Sequence, residues 1–125
     1  MDTSGPRIPA RFDPDPWDED LAHSTPNGRQ AAEAGRRDYE PKGIPRSHLK
    51  PCKAEGQDGT MLPQCFKVYV PQPDGKFGMV FKSVLIAGQL QLDFLAFGVR
   101  HHPKGSHALT LYEVAHIRLQ DHGRN

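Results

Sequence analysis

The residues best suited to chemistry are gathered between positions 100 and 118, where Arg100 is followed by His101, His102, His107, Tyr112 and His116. A guanidinium keeps its charge and grips two phosphate oxygens at once, so Arg100 suits an anionic centre. An imidazole titrates near neutrality, which makes the four histidines candidates for moving a proton. Tyr112 and His116 have the four-residue spacing that puts both on one face of a helix, and Tyr112 can stack on a base or donate to a phosphate. Each also has a plainer reading: a solvated strand end for Arg100, a core-edge aromatic for Tyr112 and an ordinary surface imidazole for His116. His101, His102 and His107 lack a recognised ligand spacing, and neither cysteine nor carboxylate joins them, so no metal and no cofactor is expected.

These residues need elements to hold them. In QCFKVYV, Phe66, Val68 and Val70 alternate with Cys65, Lys67 and Tyr69, the two-residue period of a half-buried strand. PQPDGK, residues 71–76, supplies a turn, and FGMVFKSVLI continues as a second strand. Ala87-Gly88 makes another tight turn before QLQLDFLAFGV, where Leu90, Leu92, Phe94 and Ala96 fall on one face. A three-stranded antiparallel meander is the expectation. After the basic loop RHHPKGSHA, Thr110 and Glu113 form a capping box, and Leu111, Val114, Ala115 and Leu119 share one face of a helix that ends near Gln120. That helix can cover the sheet, which gives a small α+β domain over residues 61–122.

The first half of the chain reads differently. Of the apolar residues, 15 lie in residues 1–60 and 30 in residues 61–125, while eight of the 12 prolines fall in the first sixty. Residues 1–60 are therefore expected to be a polar, proline-rich and largely disordered segment, with one short helix over 28–39. An apolar face built only of alanines promises that helix little burial. FDPDPWDEDLA, from Phe12 to Ala22, mixes five acidic residues with Phe12, Trp17 and Leu21; it reads either as a solvated acidic run or as a segment that docks on a basic surface.

Sixteen basic residues against 15 acidic ones give no global charge signal. No apolar run exceeds four residues, so a soluble, cytoplasmic protein without a membrane segment is expected. Cys52 and Cys65 fit neither a disulfide framework nor a zinc site, and are read as reduced thiols. Residues 61–125 carry seven basic residues against four acidic, a modest excess that suits contact with nucleic acid. Lys67, Lys76, Lys82, Lys104 and Arg118 are the candidate phosphate contacts beside Arg100; a surplus of this size is also common on solvated surfaces.

Residues 64–119 resemble the RelE/ParE superfamily of bacterial toxins. Phe94-Leu95-Ala96-Phe97-Gly98-Val99-Arg100 looks like the glycine-x-arginine strand end of that family, and Leu111-Tyr112-Glu113-Val114-Ala115-His116-Ile117-Arg118-Leu119 looks like its tyrosine-bearing helix. CFKVYV and FGMVF are similar to two of its earlier strands, and the family's basic strand positions fall here on Tyr69 and Gly78. The resemblance implies a RelE-like meander with a C-terminal helix, and a toxin-like, RNA-directed protein of a toxin–antitoxin type system, in one branch a ribosome-associated messenger-RNA endoribonuclease. Arg100 would hold the scissile phosphate, Tyr112 would contact the RNA, and His101 or His116 would move protons during attack by the ribose 2′-hydroxyl. RNA or the ribosome and an antitoxin protein would be the partners. The other branch implies a module without catalysis that binds a protein or nucleic acid, and a domain this small would gain stability from forming a homodimer.

Overall fold

The computed structural model describes residues 6–52, 64–70, 77–99 and 111–122. Arg7–Ile8 (β1) and Ala10–Arg11 (β2) lead into helices Pro14–Ala22 (α1) and Pro26–Lys42 (α2). Ile44–Pro45 (β3), a 3-10 turn over Arg46–His48 and Lys50–Pro51 (β4) follow. The three long strands are Cys65–Val70 (β5), Phe77–Ile86 (β6) and Gln89–Val99 (β7), and Leu111–His122 is the last helix (α3). The fold is α+β. Its main sheet has the order β2-β7-β6-β5-β4, in which β4 to β7 pair antiparallel and β2 joins β7 in parallel. β1 and β3 form a separate antiparallel pair.

The expectation of a largely disordered segment does not hold for residues 6–52. The prolines that argued against structure stand at helix starts: Pro14 and Pro26 each occupy the first turn, where the missing N–H would have had no intrahelical partner. Asp13 caps α1 by accepting from the Asp15 amide, and Thr25 caps α2 by accepting from the Gly28 amide. The expected helix over 28–39 lies inside α2, which is longer at both ends. Its alanines do bury. Gly28, Ala31, Ala32 and Gly35 make a small-residue stripe that brings the α2 backbone close to the sheet, so the apolar bulk comes from the strands: a Cβ on Gly28 would stand 3.0 Å from the Phe77 ring, and one on Gly35 2.8 Å from Met79 Cε.

The first face of the sheet carries Val68, Val70, Phe77, Met79, Phe81, Leu92, Phe94 and Phe97, and α1, α2 and Phe12 pack on it. Phe12 is at the centre: its ring centroid lies 5.4 Å from that of Trp17 and 5.6 Å from those of Phe81 and Phe94. The FDPDPWDEDLA stretch therefore folds into the core of its own chain.

The second face carries Cys65, Val80, Leu95 and Ala96, against which Leu111 and Ala115 of α3 are buried. Ala96 was expected on the same face as Leu90, Leu92 and Phe94. A register shift corrects this: Val80 pairs Ala96 while Phe81 pairs Phe94, so Leu95 is the extra residue of a β-bulge and both Leu95 and Ala96 turn toward α3. The Thr110 part of the capping box lies outside the described residues.

Candidate nucleic-acid interface

Arg100, His101, His102, Lys104 and His107, with Lys76, lie outside the described residues. Tyr112 lies on the first turn of α3, and His116, half-buried, is one turn further along.

The remaining candidates separate. Arg118, a candidate phosphate contact, is engaged within the fold. Its guanidinium spans the edge of β7 to reach Asp20 of α1, with Nη2 2.7 Å from Oδ1 and Nη1 2.9 Å from Oδ2, while Nη1 also donates to the Leu95 carbonyl at 2.7 Å. The Arg118 side chain is 13% exposed and that of Asp20 9%. Burial weighs against the guanidinium charge, but the hydrogen bonds and charges of Asp20 and Glu19 outweigh it, and the pKa lies above its ordinary value. Lys82 stands opposite Asp93 on β7 and Cys65 on β5.

Lys67 takes part in a cluster. It pairs with Lys50 across the β4–β5 edge, and the two ammonium groups each lie 5.7 Å from the centroid of the Tyr69 ring. Lys67 is 9% exposed, whereas Tyr69 is 40% exposed. Tyr69 stands beyond the last β4–β5 pair, and its cross-strand neighbours are Gly78 and then Gly98. An aromatic ring thus borders two positions without side chains; Gly78 is buried and Leu111 of α3 stands over Gly98, 3.9 Å from where a Cβ would lie, so the exposed part of this row is its Tyr69 end. β7 ends at Val99, one residue past Gly98.

Around the edge from Tyr69 the surface opens into a cleft of about 490 Å³ that the sequence reading missed. Arg7, Asp38, Tyr39, Lys42, His48, Lys50 and Tyr69 line it. Tyr39 Oη lies 3.1 Å from His48 Nδ1. Burial raises the Tyr39 pKa, Asp38 adds to the shift and Arg7 opposes it, so the phenol holds its proton. In the tautomer whose Nδ1 is unprotonated, the phenol donates to Nδ1 and a neutral His48 presents its proton on Nε2. Arg7 Nη1 donates to the Gly43 carbonyl at 3.0 Å, which anchors it beside the C-terminus of α2. In the sequence these residues are scattered through a stretch read as unstructured, and only the fold of residues 6–52 brings them together.

No group of three or more His, Cys, Asp or Glu side chains able to hold a metal occurs among the described residues, and none of their helices is long and apolar enough to cross a membrane. No family model, curated protein or solved structure matches the chain.

Proposed function

We propose that this chain is an RNA-directed module of the toxin-like kind that residues 64–119 resemble, and that it holds single-stranded RNA at the Tyr69 end of this row, on the β5 edge. The observation that supports this is the exposed Tyr69 ring with Lys50 and Lys67 each at 5.7 Å. A ring face stacks any base, worth about 1–3 kcal/mol per base, and adjacent ammonium groups neutralise the phosphates between bases.

Within this reading, Arg100 acts on a phosphate and Tyr112, His101 and His116 supply contact and proton transfer, as the resemblance implies. The non-catalytic alternative, a module binding nucleic acid or protein, draws support from Arg118, whose charge is committed to Asp20, and from Tyr69 and Gly78 at positions that are basic in ribonuclease members. An antitoxin and a second copy of the chain are the protein partners the reading admits.

The test is fluorescence polarisation with labelled 12-nucleotide single-stranded RNA, followed by gel analysis of the same RNA. Binding that falls at least tenfold in Tyr69→Ala and Lys50→Ala supports the interface. Cleavage that Arg100→Ala abolishes supports the endoribonuclease, and binding without cleavage supports the alternative. No binding by the folded wild type rejects the RNA reading.

A further inference from the structure

The cleft beside Tyr69 differs in chemistry from the exposed end of the row. Three basic side chains, Arg7, Lys42 and Lys50, line it, and among the described residues Asp38 is the one carboxylate that does. His48 adds an imidazole whose ring is fixed through Nδ1 by Tyr39, with edge-on ring packing at 6.1 Å. The excess of positive charge outweighs the partial negative charge that the C-terminus of α2 places here. At about 490 Å³ the cleft falls in the range of roughly 300–1,000 Å³ typical of small-molecule sites.

We propose that this cleft binds a phosphomonoester, with the phosphate dianion held by Arg7, Lys42 and Lys50, a hydrogen bond from His48 Nε2, and an attached base lying against Tyr69. A diester carries one negative charge and a terminal monoester close to two, so a site with three cations and a donor imidazole discriminates in favour of a chain end or a free nucleotide. Tyr39 acts as a positioning residue: it fixes the imidazole through Nδ1 without touching the ligand. Tyr69 and Lys50 serve both the cleft and the row, so the row can pass a strand to the cleft end first. That link rests on the RNA reading; the phosphate site itself does not.

Calorimetric titration of the full chain with adenosine 5′-monophosphate, adenosine and inorganic phosphate tests the site. The monophosphate should bind, adenosine should bind at least tenfold more weakly, and Lys42→Glu and His48→Ala should each weaken the monophosphate at least fivefold. Lys42 and His48 are exposed, so both variants should keep the wild-type circular dichroism, with a slightly lower thermal midpoint for Lys42→Glu, which places an anion at the C-terminus of α2. Tyr39→Phe, which keeps the ring and loses the hydroxyl, should weaken the monophosphate without changing adenosine. Equal binding of monophosphate and adenosine, or monophosphate binding unchanged in Lys42→Glu and His48→Ala, overturns the proposal. Comparing 5′-phosphorylated with 5′-hydroxyl RNA separates the two sources. Tighter binding of the phosphorylated strand assigns the site to RNA ends, and equal strands with monophosphate still bound assign it to a free nucleotide. Monophosphate binding in a protein that ignores both RNAs keeps the phosphate site and removes the RNA reading.

Discussion

Asp20 and Arg118 meet across the unpaired edge of β7, where Asp20 Oδ2 accepts from the Phe97 amide at 2.8 Å and Arg118 Nη1 donates to the Leu95 carbonyl at 2.7 Å. Among the described residues, β2 pairs with Leu92 and Asp93 on that edge and no strand pairs beyond them. The ion pair therefore stands where the C=O and N–H of a neighbouring strand would stand, and it protects the edge at its bulge. Removing one partner of a buried pair leaves a charge and one backbone group unsatisfied, the Phe97 N–H without Asp20 or the Leu95 carbonyl without Arg118, at a cost of about 3–5 kcal/mol. Asp20→Ala and Arg118→Ala should each lower stability by about 3 kcal/mol in urea denaturation, and the double variant should lose much less than the sum.

The helical half should be required for folding. Phe12 and Trp17 close the aromatic cluster with Phe81 and Phe94, and Phe12→Ala in such a site costs about 3–5 kcal/mol. A chain beginning at residue 43 should give a collapsed amide NMR spectrum, where the full chain gives a dispersed one.

Two glycines of α2 and its cap should respond oppositely to alanine. Gly43 has φ +80°, and a Cβ there would stand 2.8 Å from the Ile8 carbonyl oxygen, a backbone atom that cannot yield without moving β1. Gly43→Ala should cost more than about 2 kcal/mol. At Gly35 the obstacle is the flexible end of Met79, and the helix gains about 1 kcal/mol of propensity, so Gly35→Ala should change stability by less than about 1 kcal/mol. Thermal melts of the two variants check both expectations.

Cys65 should be inert. Burial pushes its thiol up to about 11 from an ordinary value of 9.0, against a small opposing effect of Lys82. At pH 8 a chromogenic disulfide reagent should titrate the cysteines in guanidinium and leave Cys65 unmodified in the folded protein. Below pH 9 both states keep this proton, and the thiol leaves stability unchanged. Between about 9 and 11 the unfolded thiol ionises while the folded one does not, so stability should fall with rising pH across that window.

The long strands were legible because their apolar residues alternate over stretches too long for accident, and Ala87-Gly88 marked the tight turn between the second and third. Ala96 was misplaced because a bulge leaves no mark in the alternation before it. Residues 6–52 were misread for two physical reasons: a proline in the first turn of a helix looks the same in sequence as one that breaks a helix, and a Gly-Ala stripe reports close approach only when the partner bulk, Phe77 and Met79, is known. Arg118 read as a free cation because its counterion is distant in sequence. Tyr39, His48 and Arg7 carry no motif, and their site exists only through tertiary placement.

Asp20 and Arg118 are 98 residues apart in the chain, which sets an order of events during synthesis. A nascent chain that has delivered β7 but not α3 exposes Leu95, Ala96 and the strand edge that Arg118 will later seal. Until α3 docks, that edge and the apolar patch beside it are where two incompletely folded chains can pair edge to edge. The yield of correctly folded protein should then follow the speed with which α3 docks more closely than the stability of the finished fold.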